Sequence, residues 1–221
     1  HFVDMVAFAD KAIGQIVAQL EKSGVRDNTL IIFTGDNGTD KPIVTPWNGT
    51  KVIGGKGSMT DTGTRVPLIA SWPKGIKKPG RIVDDLVEFT DMLPTLCEVT
   101  GAALPKNHPQ DGASIVPVLQ NKADARKKDW LYIWYRGRVM GRDKKYSLVA
   151  KTDGSEAKLT RYKGPFDGTQ LENSALTKGE SAIKEQFEGT IARLAKTRLS
   201  AVSKEVRSKL EKLQKKKKGK Q

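Results

Sequence analysis

One cysteine in 221 residues excludes any internal disulfide, so Cys97 leaves the redox compartment of the chain undecided. No apolar run approaches the roughly eighteen residues that a membrane-spanning helix needs. Hydrophobic residues make up 37%, below the usual share though enough for a core, and mean hydropathy is −0.49. A phosphate-binding G-x-x-x-x-G-K-[ST] loop is absent, as is any internal repeat. The first residue is His1 rather than Met, almost at the start of an amphipathic pattern. We therefore expect a piece of a longer chain, whose missing signal peptide carries no information.

Acidic residues are scarce in one place only. The net charge is +14, and residues 191–221 hold twelve basic and two acidic side chains of that balance. Residues 1–190 carry 27 basic and 23 acidic side chains and are close to neutral. The basicity thus belongs to a tail ending "LQKKKKGKQ", a composition usual for a solvated or disordered terminus. No aromatic residue interrupts that run, so it offers no stacking platform to single-stranded nucleic acid.

Residues 2–23 have helical periodicity, with Phe2, Met5, Val6, Ala9, Ile13, Ile16, Val17 and Leu20 on one face and Gly24 as the stop. A strand over Thr29–Thr34, buried on both faces, follows within a few residues, as in the αβ half of an α/β sheet. A second buried strand is expected at Val66–Trp72, after a Gly- and Thr-rich connection far longer than ordinary ones. "FTDMLPTLCEVTGA" (89–102) reads as a short helix with Thr90 as N-cap, Pro94 in the first turn and Gly101 after the last. Met92, Leu93, Leu96, Cys97 and Val99 form its apolar side, which makes Cys97 a small core residue rather than a nucleophile. "WLYIWYRG" and "KYSLVAK" read as antiparallel strands of a smaller subdomain. From about Ser181 the pattern is helical and increasingly basic, with Ile183, Phe187, Ile191, Leu194 and Leu199 as sparse apolar positions. The expected division is 1–125, 126–180 and a helical or disordered tail over 181–221.

Chemistry concentrates between the first two strands. Ligands of α/β sheets collect at the carboxyl ends of strands. Asp36 and Asn37 stand just past such an end, offering a carboxylate and an amide oxygen suited to Ca²⁺ or Mg²⁺. A turn is the competing reading, and on "GDNG" alone the better one, because Asp, Asn and Gly are its commonest residues. "GGKGSMTDTGTRVP" (54–67) changes that balance. It sets Lys56 among glycines, followed by Thr60, Thr62, Thr64 and Arg65, so that an ammonium, hydroxyls and amides can cradle an anion. Metal ligands followed by an anion-binding lysine make a coherent site for a doubly charged oxyanion.

The motifs "NTLIIFTGDNG", "GGKGSMTDTGTRVPLIASWP", "DLVEFTDMLPTLCEVTGA" and "DGASIVPVL", in that order, resemble the C-terminal part of the sulfatase family. This is the arylsulfatase-like branch of the alkaline phosphatase superfamily. The resemblance spans roughly residues 1–120, thins over 130–175 and does not cover the tail. It implies an α/β sandwich, here its C-terminal part, followed by a small antiparallel subdomain and a basic helical tail. By the same resemblance Asp36 and Asn37 match the second pair of ligands to a Ca²⁺ beside the catalytic centre, and Lys56 matches the lysine that binds the substrate sulfate. Relatives that handle phosphate or phosphonate esters usually have histidine after this aspartate, so Asn37 favours sulfate.

The family nucleophile is a formylglycine made from Cys or Ser in a C-x-P-S-R type motif, and no such motif occurs here. The family's first aspartate pair and catalytic histidines also lack counterparts. His1 and His108 match none of them, and His108 reads as a surface-loop residue. The expected function is therefore calcium-assisted hydrolysis of a sulfated small molecule or glycan, with this chain alone inactive. A periplasmic or secreted location is implied by the family. The alternative is a noncatalytic module that binds anions or nucleic acid through the basic tail.

Overall fold

The structure is a computed structural model describing residues 1–107, 110–122, 126 and 128–201, with side chains described as far as 195. His108 and the "LQKKKKGKQ" terminus lie outside the described residues, and with them the readings attached to both. Two compact units are present: His1–Leu131 with Gly164–Asp167, and Tyr132–Lys163 with Gly168 onward. Among the described residues no helix is long and apolar enough to cross a membrane.

In the first unit, α1 (Phe2–Lys22) stops where Gly24 adopts φ 69° and donates its N–H to Glu21. A left-handed residue there costs glycine nothing. The apolar stripe is real, but α1 has no buried residue. Ile13, Val17 and Leu20 are half-buried, whereas Phe2, Met5, Val6 and Ile16 are exposed. The strands are β1 (Ile31–Thr34), β2 (Val44–Trp47), β3 (Thr50–Ile53) and β4 (Leu68–Ser71). β1 and β4 pair antiparallel, Ile31 opposite Ser71 and Thr34 opposite Leu68. The expectation of strands buried on both faces is overturned, since Phe33 is 38% and Ile69 60% exposed. Each strand has only the other as a described neighbour, and a two-stranded ribbon cannot cover its own faces.

The helix α3 (Met92–Thr100) follows a 3₁₀ turn at Phe89–Asp91, and its cap is Asp91, not Thr90. The cause is a capping box one turn earlier, in which the Asp91 carboxylate takes the Glu88 N–H at 2.8 Å. Gly101 closes the helix at φ 75°, as expected. The apolar side is rearranged: Leu93 and Leu96 are exposed, Pro94 and Thr95 are buried, and Cys97 is half-buried instead of in the core. Thr95 is fully buried because its hydroxyl donates to Asp91 O at 2.6 Å and accepts the Ile115 N–H at 3.0 Å. Ile115 leads into the short helix α4 (Val116–Leu119).

The second unit is built on a five-stranded antiparallel sheet in the order β5 (Leu131–Tyr135), β6 (Arg138–Arg142), β7 (Tyr146–Lys151), β8 (Lys158–Gly164), β9 (Asp167–Gln170). Val139, Leu148 and Leu159 are fully buried, and the register sets Leu148 between Gly141 and Leu159. Helix α5 (Lys178–Ala201) starts at a capping exchange, with Thr177 donating its N–H and hydroxyl to Glu180 at 3.0 and 2.9 Å. It covers β6 and β7 with Phe187 and Ile191, and Gly141 leaves room for the Phe187 ring. Leu199 lies outside the described side chains.

Candidate functional site

Antiparallel pairing of β1 and β4 decides where the site residues meet. Thr34 stands opposite Leu68, so residues 35–67 leave and re-enter the ribbon at one edge. The carboxyl end of β1, carrying Asp36 and Asn37, therefore adjoins the segment that carries Lys56. One short helical turn, α2 (Asp61–Thr64), leads back into β4.

Three backbone hydrogen bonds clasp the two segments. Gly38 N–H donates to Gly63 O at 2.9 Å, Lys56 N–H to Thr39 O at 3.0 Å, and Gly54 N–H to Ile43 O at 2.8 Å. The spacing is tight enough to require glycine. A β-carbon at Gly38 would stand 2.8 Å from Gly63 Cα and collide with Thr62 O; one at Gly54 would fall 2.6 Å from the Asp40 carbonyl carbon. Gly38 of "GDNG" and Gly54 of "GGKG" thus permit close approach of one backbone to another. They bring the Lys56 peptide beside Thr39, three positions beyond Asp36.

The Lys56 loop is further held from its carbonyl side. Gly55 O accepts from Ser58 N–H at 2.8 Å and from the Ser58 hydroxyl at 2.6 Å. The hydroxyls of Ser58, Thr60 and Thr62 then form a chain with spacings of 2.7 and 3.0 Å. Ser58 was not singled out among the candidate residues, although a serine two places after a glycine-flanked lysine is a visible signal. Thr64 does not join this chain, because its hydroxyl turns back to Thr60 O at 2.9 Å. Asp61 is buried, and its carboxylate accepts the Phe166 N–H at 3.4 Å.

Lys56 and Asp36 are exposed, while Asn37 is half-buried. The clasped segments thus offer an exposed carboxylate, a half-buried amide and an exposed ammonium. Hard oxygen donors of this kind suit Ca²⁺ or Mg²⁺, but Ca²⁺ takes six to eight ligands. Among the described residues no group of three or more His, Cys, Asp and Glu side chains is placed to hold a metal. Asp36 and Asn37 therefore match a hard cation in donor type, and two such donors fall short of a full shell.

Comparison with known proteins assigns the chain to a family. Residues 1–102 match the sulfatase model, and residues 53–216 match the model described as N-sulphoglucosamine sulphohydrolase, C-terminal. The chain is similar to steryl-sulfatase of Mus musculus, 31% identical over 135 residues that make up 58% of this chain and 22% of that protein. It is similar in fold to the phosphonate monoester hydrolase of Agrobacterium radiobacter, with a TM-score of 0.65 and 26% identity over 90% of this chain and 40% of that one. A third likeness is to a protein solved in complex with its substrate D-glucosamine-2-N,6-O-disulfate, with a TM-score of 0.58 and 23% identity over 87% and 39% of the two chains. The chain thus spans about a fifth of the length of the mouse relative and about two fifths of the solved structures. The order of its motifs, the matched models and the shared architecture agree: this chain belongs to the sulfatase family.

Proposed function

We propose that the chain contributes the cation-ligating pair and the sulfate-binding lysine of a sulfuric ester hydrolase. The observation that carries this is the clasp between the two segments, in which Lys56 N–H is bonded to Thr39 O just beyond Asp36 and Asn37. An ammonium and hard oxygen donors on two backbone-clasped segments are suited to a dianionic tetrahedral group with a divalent counter-ion. Asp36 and Asn37 would hold Ca²⁺, or Mg²⁺ in its place; the cation, when bound, offsets negative charge on the sulfate oxygens. Lys56 binds a sulfate oxygen and stabilises charge that grows as the ester bond breaks. The Ser58 bonds to Gly55 O keep the lysine's peptide in place, so that little ordering remains to be done when substrate arrives.

The nucleophile lies outside these 221 residues. No C-x-P-S-R motif is present, and half-buried Cys97 is on α3, in "TLCEV". Formylglycine chemistry therefore has to come from sequence not included here, and the chain alone is inactive toward sulfate esters. Sulfated small molecules or glycans are the substrate class; the disulfated glucosamine bound by one structural neighbour supports this. The likeness to a phosphonate monoester hydrolase makes phosphonate esters the competing substrates, which Asn37 disfavours by the family pattern.

Kinetics of the enzyme that contains this chain test the assignment. Lys56→Ala is expected to lower kcat/KM for an aryl sulfate by about tenfold or more, as loss of one charge-stabilising donor does. Its Tm should stay put, since Lys56 is exposed. Asp36→Ala is expected to lower both bound calcium and turnover. Unchanged kinetics with a large fall in Tm would make Lys56 structural, and unchanged calcium content in Asp36→Ala would remove the cation assignment.

A further inference from the structure

The short helix α2 is where both halves of the candidate site are held. Its Gly63 O accepts the Gly38 N–H at 2.9 Å, which ties it to the segment of Asp36 and Asn37. Its Thr62 hydroxyl ends the chain that runs through Thr60 and Ser58 to Gly55 O, next to Lys56. Gly63 lies so close to the lysine loop that a β-carbon there would stand 2.6 Å from Gly55 O and 2.7 Å from the Ser58 hydroxyl. A shift of α2 would therefore disturb the carboxylate–amide pair and the lysine together.

A contact on α2 itself comes from 105 residues further along the chain. Asp61 begins the helix and is 5% exposed, and its carboxylate accepts the Phe166 N–H at 3.4 Å. The Phe166 ring meets the Trp47 indole edge to face, with centroids 5.5 Å apart, so the same residue also touches the β2–β3 hairpin. Phe166 stands in the turn between β8 and β9. Gly164–Asp167 nevertheless group with the first unit, while the residues on either side group with the second. The Phe166 backbone is left-handed, at φ 64°. That conformation is unfavourable for a bulky residue and persists where the surroundings dictate it. Here the surroundings are the Asp61 carboxylate on its N–H and the indole on its ring.

We propose that Phe166 is a positioning residue of the site. Its ring against Trp47 keeps its N–H on Asp61, and Asp61 holds α2 so that the Asp36–Asn37 segment and the Lys56 loop keep their spacing. This rests on the assignment of Lys56 as the sulfate contact. Phe166 acts through Asp61 and not on the reacting atoms. The β8–β9 turn is on this reading needed for turnover, beyond its part in joining two strands.

The enzyme that contains this chain provides the test, with an aryl sulfate as substrate. Hydrogen exchange in peptides spanning residues 36–40 and 54–60 is followed by mass spectrometry. Phe166→Gly removes the ring and keeps the N–H, and glycine adopts φ 64° freely, so the variant should fold with little change in Tm. It is expected to lose about tenfold in kcat with KM less affected, because a misplaced charge-stabilising donor weakens the transition state more than the ground state. Exchange should quicken at the Gly38 and Lys56 amides, one in each peptide. Phe166→Tyr keeps a ring of the same shape and should retain both activity and protection. Asp61→Ala should lose at least as much kcat, and adding Phe166→Gly to it should cost nothing further, since the path from ring to site is already cut. Unchanged kcat or unchanged exchange in Phe166→Gly, or losses that multiply in the double variant, would overturn the proposal. If Asp61→Ala does not fold, the single Phe166 variants still decide: activity that falls only in step with Tm would make the turn merely structural. Failure of the underlying assignment looks different, because Lys56→Ala would then leave kcat/KM unchanged while Phe166→Gly still quickened exchange.

Discussion

Replacing Asp91 by asparagine changes one oxygen and one charge at a fully buried point of the first unit. One carboxylate oxygen accepts from Lys128 Nζ at 2.6 Å and the Ala113 N–H at 2.8 Å; the other accepts from Arg126 Nη2 at 2.5 Å and the Glu88 N–H at 2.8 Å. The Arg126 and Lys128 side chains are themselves only 4% and 9% exposed. An asparagine amide would turn its NH₂ toward one pair of donors and leave a buried cation uncompensated. Lys128 keeps a second partner in Glu88, at a side chain still only 16% exposed, so part of its charge stays balanced. Breaking a buried pair on one side costs about 3–5 kcal/mol, and the retained oxygen places this change near 3. For a chain of this size that corresponds to a fall in Tm of about 6–12 °C.

The same group sets a pH dependence. Burial pushes the Asp91 carboxyl up, but hydrogen bonds from Lys128, the Ala113 N–H and the Glu88 N–H, with the Lys128 charge, bring it below the ordinary aspartate value. A folded pKa below the unfolded one gives stability that is complete above the unfolded pKa, about 3.9, and is lost as pH falls through the folded value. The gap in Tm between the unmutated chain and Asp91→Asn should therefore be full at neutral pH and narrow below about pH 4. Thermal unfolding followed from pH 7 to pH 3 measures it, and hydrogen exchange locates it: the Ala113 amide should lose protection while strand amides of β7 keep theirs. A loss below about 1 kcal/mol at neutral pH, or a gap that stays constant into acid, refutes the reasoning.

Gly38→Ala should drive the two site segments apart, because its β-carbon overlaps backbone rather than a movable side chain. The expected cost is about 3 kcal/mol, the upper range for overpacking, with faster exchange of the Lys56 amide as the specific sign. Unchanged Lys56 protection would mean that the clasp is not what holds the lysine. In the second unit, Phe187→Ala empties the space above Gly141, and with Phe187 only 6% exposed the loss should be about 3–5 kcal/mol by urea unfolding. A cost below 1 kcal/mol would show that α5 is held by something other than this ring.

Much of the architecture was legible because local signals and packing agreed. Gly24 and Gly101 stop their helices with left-handed backbone, and "WLYIWYRG" and "KYSLVAK" contain β5 and β7. What failed did so for identifiable reasons. β6, "RVMGR", was not read as a strand because arginines bound it and a glycine interrupts it. Yet Val139 and Met140 are 0% and 1% exposed, since Gly141 is where α5 approaches and Arg142 lies over the Tyr162 ring at 3.6 Å. Burial of β1 was inferred from four successive apolar residues, but apolarity records what a strand is suited to contact and not what covers it. The Asp91 cluster joins positions 22, 35 and 37 residues apart, and no periodicity announces such a set. Only the capping exchange with Glu88, three residues away, leaves a local trace.

The candidate site shows why spacing along the chain misleads about distance across it. Nineteen positions separate Asn37 from Lys56, and the residues between them include strands, a turn and an exposed tryptophan. In a parallel sheet the end of one strand and the start of its neighbour lie at opposite edges, and a connection must cross the whole layer. Antiparallel pairing of β1 with β4 puts both at one edge, so the connection is free to fold back on itself. Glycines at positions 38 and 54 then let its two legs touch backbone to backbone. The legs carry Asp36, Asn37 and Lys56, and what lies between them forms the β2–β3 hairpin. Length that is excessive for a connector becomes, under that constraint, a candidate site at the base of a hairpin. Shortening the hairpin at Asn48–Gly49 while keeping the clasp and Trp47 should accordingly leave the Lys56 amide as well protected from hydrogen exchange as before, and a loss of that protection would mean that the hairpin itself holds the clasp.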